Sequence, residues 1–333
     1  MHRKIFFTAL VVFAKVIFIS SVMVILLTPI SGSAATSFPE KAVRMVVGFT
    51  PGGGVDVAAR ALSGVLANEL GQSVVVENLS GAGGNIATDN VVRSKADGYT
   101  LLFGSIALAI NPSLYKSLKF DPVKQLRAVS LVSTSPFVLL ANAKSGINSV
   151  QDLVAQAKSG KNIDFASAGN GSGSHLFMQQ FSDLAGIKLT HIPYRGAAPA
   201  LNDVLGNQVP VVFDSIMTTL PYIKAGALKA LGLSSIQKSI VAPDIPSLDE
   251  LGVKGMDSTS WFVVFAPANT SQPVIDKLER AIKNALAKPE LKKQFGAMGA
   301  AVVASSADEA QKFYESEVRK WALVVKASGV QLD

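Results

Sequence analysis

One stretch constrains this chain more than any other: VRMVVGFTPGGGVDVAAR, from Val43 to Arg60. The apolar run Val43–Phe49 reads as a buried strand. Thr50, Pro51 and the glycines Gly52, Gly53 and Gly54 follow, and a helical pattern opens at Asp56 and runs to about Leu70. A strand, a glycine turn and a helix start aim several backbone N–H groups at one point. Glycines permit positive φ and close approach of a ligand. First-turn N–H groups have no intrahelical partner, and the helix dipole favours an anion there. The stretch is therefore read as a cradle for a carboxylate or similar anion, against the plainer reading of a glycine-rich turn. Two phosphate fingerprints fail. The P-loop pattern needs Lys and Ser/Thr after its last glycine, where this chain has Val55 and Asp56. The dinucleotide pattern needs glycine at 57 or at 86, which are Val57 and Ile86. Asp56 would also repel a phosphate.

The chain starts with His2, Arg3 and Lys4, then runs apolar from Ile5 to Ile30 with one break at Lys15. Ser33-Ala34-Ala35 offers small residues for cleavage after Ala35. That order predicts a secretory signal over residues 1–35 and a periplasmic location, with an uncleaved membrane anchor as the alternative. Cysteine is absent, which excludes a lipid-modified cysteine, disulfides and thiol chemistry. Loss of 1–35 removes Arg3, Lys4 and Lys15 from a formal charge of +7. The remaining Lys and Arg are scattered, so no nucleic-acid footprint is read, although a mildly positive field draws in anionic solutes.

The remainder, about 300 residues, is enough for two domains. Strands are expected at Val43–Phe49, Val74–Asn78, Thr100–Gly104, Phe137–Ala141, Asp164–Ala166, Leu189–Ile192, Val209–Phe213, Leu228–Leu233 and Phe262–Ala266. Helices are expected at Val57–Leu70, Ile86–Ser94, Val150–Ser159, Ser174–Ala185, Ala197–Leu205, Pro273–Ala287 and Ala307–Lys326. The alternation implies an α/β fold with mostly parallel sheets covered by helices. In the last helix Tyr314, Val318, Trp321 and Val325 share one face, so Trp321 is read as core. Trp261 is either core or near a hinge.

Three further loops repeat the strand–small residue–helix order. They are Asn78–Asn85, with Gly81, Gly83, Gly84 and Asn85; Ser167–His175, with Ala168, Gly169, Asn170, Gly171 and Ser174; and Pro193–Ala197, with Tyr194 and Gly196. Ser105 ends another strand, and Thr134 precedes one. Ligands of open parallel sheets sit outside the carboxyl ends of the strands, so these loops are expected to face one small-ligand crevice. No Cys or His pair has metal spacing. Ser172 lacks the flanking glycines of a nucleophile elbow. His175 is a helix-start residue or a donor to a ligand, and His191 is read as structural. Asp214 either points into the crevice or caps the following turn.

These residues resemble one family. Phe49-Thr50-Pro51-Gly52-Gly53-Gly54 with Asp56 and Ala59-Arg60, Val75-Val76-Glu77-Asn78, Gly81-Ala82-Gly83-Gly84-Asn85 and Asp97-Gly98-Tyr99-Thr100-Leu101-Leu102 match in order. So do Asn111-Pro112-Ser113-Leu114-Tyr115, Ser167-Ala168-Gly169-Asn170-Gly171-Ser172, His191-Ile192-Pro193-Tyr194 and Thr259-Ser260-Trp261. The chain resembles the periplasmic substrate-binding proteins of the tripartite tricarboxylate transporter type, also called Bug proteins. The resemblance implies a two-lobed Venus-flytrap periplasmic binding protein (type II-like) with two crossing hinge strands. It implies carboxylate ligands held by the backbone of the first glycine loop, partly through water. Val55 stands where the family usually has Thr, and Arg195 where Lys is commoner.

The expected lobes are 38–138 plus 259–333, and 139–258, hinged near Ser135–Leu140 and Ser258–Val263. The expected protein is a monomeric solute-binding protein, not an enzyme, without cofactor or metal. It would pass a small carboxylate to a two-component membrane permease. A ligand-sensing partner of a membrane receptor, and a hydrolase using Ser172, His175 and Asp214, are the alternatives. The expected ligand contacts come from Phe49, Pro51–Asp56 and the loop residues above, with Ser105, Thr134 and Asp214.

Overall fold

The computed structural model describes residues 38–333; the expected signal segment, 1–35, lies outside the described residues. In chain order the elements are β1 (Val43–Val47), α1 (Gly54–Leu70), β2 (Val74–Asn78), α2 (Asn85–Val92), β3 (Thr100–Ser105), α3 (Ala107–Leu114), α4 (Pro122–Gln125) and β4 (Leu126–Asn142). Then come α5 (Val150–Lys158), β5 (Asp164–Ser167), α6 (Gly173–Ala185), β6 (Thr190–Pro193), α7 (Ala197–Leu205), β7 (Val211–Ser215), α8 (Ile216–Lys224) and β8 (Leu228–Leu233). The chain closes with β9 (Thr259–Pro267), α9 (Gln272–Ala287), α10 (Pro289–Ala297), β10 (Ala301–Val302) and α11 (Ala307–Ser328).

The strands follow the path β2-β1-β3-β9-β4-β7-β5-β6, with β8 and β10 also paired to β4. The parallel pairing expected from the βα alternation occupies the two ends, β2-β1-β3 and β7-β5-β6. The middle, β3-β9-β4-β7, is antiparallel. One strand joins the two ends. Residues Leu126–Pro136 of β4 pair with β9, and Phe137–Ala141 pair with β7. At that changeover Ser234 takes the Phe137 N–H on Oγ (3.0 Å) and gives its hydroxyl proton to the Ser258 carbonyl (2.6 Å). The two places where the chain crosses between sheet ends are thus tied by one buried serine.

Helices cover the faces through the stripes their sequences carry. α1 buries Ala58, Ala59, Leu62, Leu66 and Leu70, and stops at Gly71 in the left-handed region. α11 opens with a reciprocal cap between Ser306 and Glu309. Tyr314 and Trp321 on its inner face are fully buried, as is Trp261 of β9. Both tryptophans are core. Their indole N–H groups share one carboxylate oxygen, Glu317 Oε2, at 2.9 and 3.1 Å. A buried indole needs such an acceptor, since an unpaired polar group in the core costs about 1–3 kcal/mol.

Candidate functional site

The first glycine loop leaves β1 at Phe49 and enters α1 at Gly54. Gly52 carries the left-handed turn (φ 82), whereas Gly53 is extended (φ −74). The positive φ that the glycine run permits is therefore used at Gly52 and not at Gly53. Asp56, only 2 % exposed, accepts the Gly52 N–H (2.9 Å), Arg60 Nε–H on both oxygens (3.0 Å) and Asn78 Nδ2–H (2.9 Å). Asn78 also donates to the Phe49 carbonyl (2.9 Å) and accepts from Arg60 Nη2 (2.9 Å). Burial raises the carboxyl's pKa most, but the bonds from Arg60, Gly52 and Asn78 together outweigh it and hold it below the ordinary aspartate value. The Asp56 carboxylate oxygens are thus taken up inside the loop. Among the described residues the amides of Gly54, Val55 and Asp56 have no acceptor. They are the free first-turn donors of α1.

The second loop packs on the first. Gly84 lies against the Phe49 ring, and Asn111 of α3 donates to the Gly83 carbonyl (3.0 Å) and to Asn85 Oδ1 (2.8 Å). Gly48, Phe49, Gly83, Gly84, Ser105 and Asn111 line a cavity of about 20 Å³, room for a water rather than a dicarboxylate. Gly81 and Pro51 are exposed.

The third loop is closed upon itself. Ser174 Oγ accepts the Ala168 N–H (2.9 Å), Ser167 Oγ accepts the Gly169 N–H (3.1 Å), and Ser172 Oγ donates to the Gly169 carbonyl (2.7 Å). The Gly171 N–H goes to His175 Nδ1 (3.1 Å). The His175 ring stacks on His191, centroids 3.8 Å apart, and His191 Nε2 lies 2.6 Å from Ser167 Oγ. Burial, then the neighbouring His191, lowers the His175 pKa to about 4; burial lowers that of His191 too. His175 therefore serves its own loop as an acceptor, and Asn170 is the exposed member. The fourth loop adjoins the third, with the Tyr194 carbonyl beside Gly169. Tyr194 Oη donates to Asp203 (2.7 Å); burial and that carboxylate push the phenol up to about 12. Gly196 is half-buried and Arg195 exposed.

Asp214 is buried at the end of β7 and accepts the Ser215 N–H (2.7 Å), while the cap of α8 is Ser215, whose Oγ accepts the Met217 N–H (3.2 Å). Burial pushes its pKa up to about 6. Ser172, His175 and Asp214 form no relay, because each is bonded elsewhere. Thr134 sits in β4, paired with Trp261 of β9 and Ala301 of β10, and joins none of the loops. Among the described residues no group of His, Asp and Glu could hold a metal. Across from the first loop stands α8: a methyl group at Gly54 would come within 3.9 Å of Met217 Cε. The Met217 side chain, from the first turn of α8, thus reaches the start of α1. Met217, Arg60, Asn78 and Asn111 are the residues sequence reasoning left out of the site. Only Arg60, four residues after Asp56, carried a local signal for its role.

Residues 58–330 match the family described as the tripartite tricarboxylate transporter family receptor, TctC. BugT of Bordetella pertussis is 37% identical over 302 residues, 90% of this chain and 93% of BugT. The structure of the periplasmic binding protein BugD superposes with a TM-score of 0.78 at 36% identity, covering 88% of this chain and 99% of BugD. An R. palustris protein with adipate gives 0.81 at 29% identity, over 88% and 99% of the two chains. MatC from Rhodopseudomonas palustris with bound malate gives 0.76 at 29%, over 86% and 100%. The sheet path, the glycine loops and these matches together place the chain in the tripartite tricarboxylate transporter receptor family, whose members have the periplasmic binding protein fold.

Proposed function

We propose that this protein captures a small carboxylate between two lobes, in the periplasm, and hands it as a monomer to a two-component membrane permease of the tripartite type. The observation that carries the reading is the set of unclaimed amides at Gly54, Val55 and Asp56, with the Met217 side chain of α8 beside Gly54. A helix N-terminus with free first-turn amides offers donors and positive potential to an anion. Relatives that hold adipate and malate support the ligand class. The proposed lobes are 38–138 with 259–333, and 139–258. The changeover of β4 from β9 to β7 at Pro136 and Phe137 supports that division. Closure would be a rigid-body motion about β4 and the Ser258 crossing, biased by the ligand's preference for the closed state. The first and second loops are the proposed contacts, with Met217 facing them; the third and fourth line the other lobe's edge. We propose no catalytic turnover: the Ser167 hydroxyl, which meets His191 Nε2 at the end of β5, is fully buried and also accepts the Gly169 N–H, so it is held inside its own loop. A receptor-linked sensing role would use the same site.

A thermal-shift screen over mono-, di- and tricarboxylates tests the reading. A ligand that binds the native state at a hundred times its Kd adds about 2.7 kcal/mol of stability. A dose-dependent rise in Tm with at least one carboxylate is expected; no rise across the panel would overturn the reading.

A further inference from the structure

The first loop holds an arrangement that the carboxylate reading does not by itself require. An acid, Asp56, stands in the first turn of the helix whose free amides would meet an anionic ligand. That acid shapes the loop by taking the Gly52 N–H. Left bare, its charge would cancel the positive end of α1 and repel a carboxylate at the neighbouring amides. It is not bare. Arg60 Nε–H lies 3.0 Å from both oxygens, and Arg60 Nη2 reaches Asn78 (2.9 Å), which in turn donates to the same carboxylate. The guanidinium is half-exposed while the acid is buried, so the pair presents its cationic side to solvent.

Resting on the carboxylate reading, we propose that Arg60 is a specificity-determining residue: it masks the charge of Asp56 so that the α1 amides accept doubly charged carboxylates. The pair has no net charge, and the loop keeps its shape without an electrostatic penalty for the ligand. A second carboxylate on the ligand feels any unmasked charge most, because it adds another repulsive pair over a range that salt screens only partly.

Calorimetric titration of adipate against hexanoate, and of malate against lactate, at low and at high salt tests this. Arg60→Leu is expected to weaken the diacids roughly five- to tenfold at low salt, as one unmasked charge several ångströms away would. The monoacids should lose less, and both losses should shrink at high salt. Adding Asp56→Asn to Arg60→Leu should return diacid affinity to within about twofold of the parent, because no charge is then left to mask. A loop that had merely lost its shape would bind worse still in the double variant, and equal losses for diacids and monoacids at both salts would likewise overturn the proposal. Should Arg60→Leu not fold, Arg60→Gln carries the same expectations. A parent that binds monoacids and rejects both diacids defeats the inference and leaves the reading standing. A parent that binds no carboxylate defeats both.

Discussion

The first and third loops use the same materials, a strand end, glycines, small polar residues and a helix start, and end in opposite states. The first spends one amide, that of Gly52, on an ionised acid and leaves three amides free. The third spends the amides of Ala168, Gly169 and Gly171 on two serines and a neutral imidazole. One is a charged clasp around an open nest; the other is an uncharged knot. Glycine content alone therefore does not mark an anion site. What separates the two is which side chains fold back onto the loop: an acid held by an arginine in the first, serines and an imidazole in the third.

The widest separation between the loops should appear on adding side chains. Gly171 is buried at φ 72, and a Cβ there would meet Leu114 Cδ2 at 2.2 Å. Overpacking and left-handed strain together predict that Gly171→Val costs about 3–5 kcal/mol in urea unfolding. A loss under about 1 kcal/mol would mean that the knot yields freely, contrary to its bonding.

Acid should separate the two loops next. The folded His175 pKa, about 4, lies below the ordinary 6.5, so the stability it lends is fully present above 6.5 and is lost as pH falls towards 4. Asp56 is also depressed, from 3.8, so its contribution persists above 3.8 and goes only below that. Asp214, raised to about 6, runs the other way: its contribution is present below 3.8 and lost as pH rises through 6. Global unfolding mixes these signs, so individual amides are the better probe. By about pH 4.5 the Gly171 amide should lose one to two powers of ten in hydrogen-exchange protection while the Gly52 amide keeps its own. Parallel loss at both would erase the distinction between the loops.

The smallest effect is expected at the matching glycine of the first loop. Gly52 sits at φ 82 with open space where a Cβ would go. Gly52→Ala should cost only about 1–2 kcal/mol of backbone strain, read from the same urea curves. A cost equal to that of Gly171→Val would show that packing does not distinguish the loops.

Much of this architecture was legible in the sequence. Helix α7 and strand β8 fall where periodicity puts them, and the strand–glycine–helix order of the first loop is as expected. The 17-residue β4 was read only over Phe137–Ala141. Its earlier half carries Ser130, Ser133, Ser135 and Pro136, which look like a loop, yet all three serines are buried. Non-local pairing with β9 decided that segment, not propensity. Helices α3 and α8 contain Pro112 and Pro221 and were missed, because proline argues locally against a helix that tertiary packing sustains. The partners of the Asp56 carboxylate are hidden for a similar reason: Asn78, one of them, lies 22 residues away. The stacking of His175 of α6 on His191 of β6 is a tertiary contact between residues 16 apart and left no sequence signal.

The shared acceptor beneath the two indoles has an optical consequence. The chain has two tryptophans, and both hand their N–H groups to Glu317. Intrinsic fluorescence therefore reads a single spot, where α11 meets β9 and where Trp321 touches Phe177 of α6. Trp261 reports from the strand that pairs with the crossing segment of β4, and neither indole belongs to a glycine loop. An emission change on adding a solute would signal a shift at that joint rather than contact with the solute. A silent titration would mean an unmoved joint, not an empty cradle.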